Sequence, residues 1–117
     1  LNEQISVNIV DKLHQAMSQE QLFLDAGLSL PKLSKHIATS PSYISQTLNE
    51  TLGVNFFDYV NRYRVEAAKI QLLTSDATVL DIAMNVGFNA KSSFYTAFKK
   101  ETQLTPSQYR KAKHSPQ

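Results

Sequence analysis

The sequence predicts an all-α chain of seven helices forming two helix-turn-helix subdomains joined by a long linker helix. Three observations carry that expectation. Apolar residues recur at the 3.6-residue helical period along most of the chain. Only three glycines and four prolines interrupt its 117 residues, and most stand where a helix would start or stop. A pattern of apolar and polar residues in the first half returns in the second at a nearly constant offset.

Taken in order, Ile5, Ile9, Val10, Leu13, Ala16 and Met17 share one face of an amphipathic first helix. A loop from Leu22 to Leu28 follows and turns at Asp25-Ala26-Gly27. Ser29 is placed to cap a short second helix that buries Leu30, Leu33 and Ile37. At Ser40-Pro41 a capping hydroxyl precedes a proline at the first helical position, where its missing N–H costs nothing. The third helix then runs through Tyr43, Ile44, Thr47, Leu48 and Leu52 to Gly53. Asn55 with Asp58 resembles a capping box opening a fourth helix, whose apolar face is Phe56, Phe57, Val60, Tyr63, Ala67, Ala68 and Leu72. Its ~19 residues make a rod of roughly 28 Å. Thr78 and Asp81 open a fifth helix through Leu80, Ile82, Ala83 and Val86, which Gly87 ends. Asn89 is expected to cap a sixth helix carrying Phe94, Ala97 and Phe98. Thr105-Pro106 with Gln108 opens a seventh that ends near Lys111, and residues 114–117 form a polar tail expected to fray.

The repeat organises these elements. Leu33, Ile37 and Ala38 recur 49 positions later as Ile82, Val86 and Gly87. Beyond the turn the offset becomes 50, pairing Ser42 with Ser92, Ile44 with Phe94, Leu48 with Phe98, Asn55 with Thr105 and Tyr59 with Tyr109. The second turn is therefore one residue longer. The expected organisation is a first subdomain over 1–54, a linker helix over 55–73 and a second subdomain over 74–113.

Composition narrows the function. With no cysteine, and with His14, His36 and His114 far apart, neither a metal site nor a cofactor is expected. There is no Gly-x-Ser-x-Gly elbow, no phosphate loop and no histidine beside a nucleophile, so an enzyme is not expected either. No apolar run approaches the ~18–20 residues of a membrane span, and the start lacks the regions of a signal peptide, which predicts a cytoplasmic protein. The first residue is Leu rather than Met, which suggests a piece of a longer protein with a sensing or dimerising part elsewhere.

The net charge of +2 hides an asymmetry. Residues 1–54 carry three cations and five anions, whereas from Phe88 onward six cations face Glu101 alone. A short helix, a tight turn and a second helix with a polar outer face can present that second helix to a DNA major groove. Two such units on a rod of roughly 28 Å can place their exposed helices about one DNA turn, ~34 Å, apart. The fragment is accordingly expected to be monomeric, since the repeat supplies the two-site geometry that other helix-turn-helix proteins gain by dimerising.

Because Ile44 and Leu48 point inward, Ser42, Ser45, Gln46 and Asn49 point outward. The matching set in the sixth helix is Ser92, Tyr95, Thr96 and Lys99, with Lys91 at its start. Gln and Asn can pair bidentately with adenine, hydroxyls bond several base edges, and Lys reaches guanine or phosphate. Ser40, Asn89, Lys99 and Lys100 are the candidate phosphate contacts. No Lys or Arg lies between Lys35 and Arg62, and Asn49-Glu50 stands where the second unit has Lys99-Lys100. The second unit should therefore hold the backbone and the first should contribute selection. Arg62 and Arg64 suit either phosphate or an ion pair with Asp58 or Glu66. The competing reading is a helical protein-interaction module using the basic C-terminal face, which predicts salt-sensitive binding to an acidic protein and indifference to DNA.

The stretch Asp81-Ile82-Ala83, Val86-Gly87-Phe88, Ser92-Ser93-Phe94, Phe98-Lys99-Lys100 and Thr105-Pro106-Ser107-Gln108-Tyr109-Arg110 resembles the signature of the AraC/XylS family of bacterial transcription regulators. Upstream, Leu33, Ile37, Ser40-Pro41, Tyr43-Ile44-Ser45, Leu48-Asn49, Gly53, Phe56-Phe57 and Tyr63-Arg64 resemble the same family's first unit. The resemblance implies a seven-helix DNA-binding domain whose two recognition helices enter successive major grooves of promoter DNA, often recruiting RNA polymerase. It places base-reading positions at Ser42, Ser45 and Gln46, and at Lys91, Ser92, Tyr95 and Thr96. Thr96 replaces an arginine often found there, and Gln103 replaces the usual glycine before the last turn.

Overall fold

The computed structural model describes residues 1–114. Its elements are α1 (Glu3–Ser18), a 3-10 turn (Leu22–Leu24), α2 (Leu30–Ile37), α3 (Pro41–Thr47) continued by a π-helical turn (Leu48–Leu52), α4 (Phe56–Thr74), α5 (Val79–Asn85), α6 (Lys91–Thr102) and α7 (Pro106–His114). Among the described residues there are seven α-helices and no strand. Of the tail expected over 114–117, His114 closes α7, three residues beyond the expected end near Lys111, and 115–117 lie outside the described residues.

Most helices begin where a side chain satisfies an N–H that the first turn leaves unpaired. Ile5 N–H donates to Asn2 Oδ1 (2.8 Å), Tyr43 N–H to Ser40 Oγ (3.2 Å) and Asp58 N–H to Asn55 Oδ1 (2.8 Å). Lys32 N–H donates to Ser29 Oγ (3.3 Å) and Asp81 N–H to Thr78 Oγ1 (3.1 Å). At α7 the box is reciprocal, with Gln108 N–H on Thr105 Oγ1 at 3.1 Å and Thr105 N–H on Gln108 Oε1 at 2.9 Å. The exception is α6. Ala90, not Asn89, holds its N-cap position in extended conformation (φ −155°, ψ 145°). The longer second turn shifts the helix start one residue past the asparagine.

The repeat is present in the backbone. The starts of α2 and α5 are 49 residues apart, those of α3 and α6 are 50 apart, and those of α4 and α7 are 50 apart. Left-handed residues recur with it: Ala38 (φ 53°) corresponds to Gly87 (φ 106°), and Gly53 (φ 66°) to Gln103 (φ 66°). At φ near +60° a side chain crowds its own backbone, so Gln103 accepts strain that glycine avoids at the matching place. Gln103→Gly should therefore stabilise the chain by about 0.5–1 kcal/mol, less than the local strain because glycine also loosens the unfolded state. Thermal denaturation should move up by a few degrees, and an unchanged or lower midpoint would show that the strain is relieved some other way.

The chain divides into two compact units, Leu1–Val60 and the residues from Asn61 onward, with the boundary inside α4. In the first unit α1, α2 and α3 pack on one another, and Leu13, Met17, Leu33, Ile44 and Leu48 are fully buried. Phe23, in the 3-10 turn, anchors the expected loop to this core. In the second unit the core is aromatic. Phe94 packs against Phe88 (centroids 5.1 Å apart) and Phe98 (5.6 Å), and Phe98 meets Tyr109 edge-on (5.4 Å).

Apolar residues on four helices differ from expectation: at the start of α1 Ile5 is exposed, at the start of α2 Leu30 is only half-buried because the core closes over Leu33 and Ile37, and larger departures fall on α4 and α5. On α4, Phe57 is 71% exposed and Tyr63 is half-buried, while Tyr59 and Val65 are buried. The reason is that α4 serves two cores: Tyr59 and Val60 belong to the first unit, and Val65, Ala68 and Leu72 to the second. A single periodic stripe cannot describe a helix that changes partners along its length. On α5, Leu80 is 48% exposed and shares its outward side with Met84, while Ile82, Ala83 and Val86 face the core.

Candidate nucleic-acid interface

Each unit contains a short helix, a tight turn at a left-handed residue and a second helix whose inward positions are anchored in the core. In the first unit Ile44 and Leu48 are fully buried, which turns Ser42 and Asn49 to solvent and leaves Ser45 and Gln46 half-buried on the same outer side. In the second unit Phe94 and Phe98 are the anchors, Lys91, Ser92, Thr96, Lys99 and Lys100 are exposed, and Tyr95 is half-buried. The outward sets expected from periodicity thus lie on the solvent side of α3 and α6. Ser40 is exposed with its hydroxyl engaged in capping α3, and Asn89 is exposed in the turn before α6.

Local contacts constrain several of these side chains. The Gln46 amide donates to both carboxylate oxygens of Glu50, at 3.2 and 3.3 Å. Lys91 Nζ stands over the Tyr95 ring, 5.4 Å from its centroid, and Tyr95 meets Phe94 edge-on at 6.3 Å. Tyr95 is thereby braced between an ammonium group and the core.

The cations divide into structural and outward-facing groups. Arg110, one of the six in the basic end, donates from Nε to the Leu72 carbonyl (3.0 Å) and from Nη2 to the Ser75 carbonyl (3.2 Å). It satisfies carbonyls that the end of α4 leaves without helical partners. Arg62 pairs with Glu101 at 3.6 Å, while Glu66, expected as a partner for Arg62 or Arg64, pairs with Lys69 at 3.1 Å. Arg64 stands over the Phe88 ring (5.7 Å) and donates to Asn61 Oδ1 (3.2 Å). On α6, Lys99 and Lys100 remain on the exposed side of the last turn. Sequence reasoning missed both the Gln46–Glu50 bond and the Arg110 clamp. The first had a signal, the i,i+4 spacing of an amide and a carboxylate on one helix; the second had none in local sequence.

Among the described residues no group of His, Asp and Glu side chains is arranged to hold a metal ion. No helix of the described chain is long and apolar enough to cross a membrane.

Two helix-turn-helix units with polar second helices, of which α6 is cationic, define a DNA-binding protein of the transcription-regulator class. A helix-turn-helix domain family model matches residues 33–112. The chain is 40% identical over 100 residues to an uncharacterized HTH-type transcriptional regulator of Staphylococcus aureus (strain COL), covering 86% of this chain and 13% of that protein. It thus spans only about an eighth of the length of that relative. Among solved structures, the C-terminal domain of AraT, a response regulator from Geobacillus stearothermophilus, superposes with a TM-score of 0.81 at 29% identity, covering 93% of this chain and 88% of that one. The C-terminal domain of the two-component response regulator yesN from Fusobacterium nucleatum gives a TM-score of 0.74 at 37% identity, covering 86% and 97%. The chain belongs to the AraC/XylS family of helix-turn-helix transcription regulators, as a DNA-binding domain of that family.

Proposed function

We propose that this chain is the sequence-reading part of a bacterial transcription regulator, with α3 and α6 entering successive major grooves of promoter DNA. The observation that carries the reading is the duplication itself: two second helices start 50 residues apart and both turn a polar side to solvent. In this reading residues 1–54 and 74–113 are the two DNA-reading subdomains and 55–73 the helix that links them. Ser42, Ser45, Gln46 and Asn49 read bases from α3, and Lys91, Ser92, Tyr95 and Thr96 from α6. Ser40, Asn89, Lys99 and Lys100 meet phosphate.

The work is binding rather than catalysis, carried out by a monomeric domain in the cytoplasm, and needs no cofactor. RNA polymerase is the second partner that the family resemblance implies, and the rest of the longer protein would carry the sensing or dimerising part.

Selection of bound duplexes from a random pool tests this reading. The expected product is a pair of short half-sites centred about one helical turn apart. Folded protein that retains no duplex at low salt, or that recovers one half-site alone, would overturn it.

A further inference from the structure

We propose that Glu50 is a specificity-determining residue of the first unit, acting by holding Gln46 so that α3 presents hydrogen-bond acceptors to the major groove. The inference rests on the reading of α3 as a DNA-facing helix.

Gln46 and Glu50 lie one turn apart on the outward side of this helix, which carries no Lys or Arg. The Gln46 Nε2 sits 3.2 and 3.3 Å from the two Glu50 carboxylate oxygens. A charged acceptor is the stronger partner for an amide donor, so this bond sets which way the amide faces. With Nε2 turned toward Glu50, Oε1 is turned away from it, and the carboxylate keeps lone pairs to spare. Committing Nε2–H to Glu50 leaves at most one of the two amide donors free and adds carboxylate lone pairs, so the pair offers a surplus of acceptors where an unrestrained glutamine can turn both N–H and Oε1 to one base edge.

That difference has a direct consequence for base choice. An unrestrained glutamine pairs bidentately with adenine, giving Nε2–H to N7 and taking N6–H at Oε1. Acceptors backed by a negative charge instead suit cytosine, whose major-groove edge presents the N4 amino donor, and oppose the acceptor-rich edge of guanine. The matching region of the second unit has Lys99-Lys100 in place of Asn49-Glu50, so the two units differ in the sign of charge they bring to DNA.

The test takes the duplex recovered by selection from a random pool and varies each base pair of the first unit's half-site through all four bases. Binding is measured for the 117-residue chain and for Glu50→Ala, Gln46→Ala and the double variant. Gln46 lies on the outer side of α3 and Glu50 on that of the π-helical turn that continues it, and circular dichroism is used to check that each variant is folded. At one position the parent chain should rank cytosine first. Glu50→Ala should raise adenine relative to cytosine by about tenfold, the scale of one good base contact, and this shift should vanish in the Gln46→Ala background. An unchanged ranking of the four bases, with affinity rising equally for all, would mean that Glu50 only repels phosphate and would overturn the inference. So would a shift that persists without Gln46, because the carboxylate would then act alone. Either result leaves duplex binding intact and the proposed function standing, whereas failure of every variant and the parent to bind would remove the function itself.

Discussion

Phe94→Ala should cost the second unit about 3–5 kcal/mol, the range for emptying a buried phenylalanine site. The ring is fully buried and touches three other aromatic residues, with centroids 5.1 Å away at Phe88, 5.6 Å at Phe98 and 6.3 Å at Tyr95. Truncation removes the apolar contact and also the edge-to-face geometry, worth roughly 0.5–1.5 kcal/mol per pair beyond area. Against a typical total stability of about 5–15 kcal/mol, that loss leaves little or no margin. Urea unfolding followed by circular dichroism should show the loss, and amide exchange should assign it to α5, α6 and α7. Phe94→Leu should recover much of the stability. A loss below about 1 kcal/mol in Phe94→Ala would mean that neighbouring rings collapse into the space. The matching residue in the first unit is Ile44, so the second core relies more on aromatic contacts at the equivalent place.

The second large effect concerns charge. Replacing Lys99 and Lys100 together with Ala should weaken binding to every duplex and flatten its dependence on salt. Each phosphate contact contributes roughly 0.9 to the slope of log affinity against log salt. Losing two contacts lowers the slope by about 1.8, so between 50 and 200 mM salt the parent chain should lose roughly tenfold more affinity than the variant. Base preferences should stay as they were, because phosphate contacts position the protein without reading sequence. A fluorescence titration at several salt concentrations measures the slope. Parallel lines for parent and variant would place both lysines away from the DNA backbone. Arg110 of the same basic end is not expected to behave this way, because it is bound to two carbonyls at the end of α4.

Much of this architecture is legible in the sequence. Ser29, Ser40, Asn55, Thr78 and Thr105 were each placed as caps from sequence, and each side chain accepts the expected N–H. At α6 the sequence points to Asn89, the better capping residue type, whereas the extra residue in the turn puts Ala90 at the N-cap. The doubled helix-turn-helix plan was legible for a related reason: the offsets of 49 and 50 in sequence return as the offsets between helix starts. The candidate interface was legible as a set of outward positions, since burial of Ile44, Leu48, Phe94 and Phe98 dictates which side of each helix faces out.

What the amino-acid sequence determined by itself is the content of interactions that close within a few residues: caps, helical periodicity, left-handed turns and the repeat they compose. Tertiary structure decided the rest. It turned Phe57 outward and Val65 inward, because α4 passes from one core to another. It took Arg110 out of the cationic surface and set it on the Leu72 carbonyl, 38 residues earlier in the chain. Periodicity along one helix reports which residues share a face, but only the neighbouring element determines whether that face is buried and which distant group a long side chain reaches.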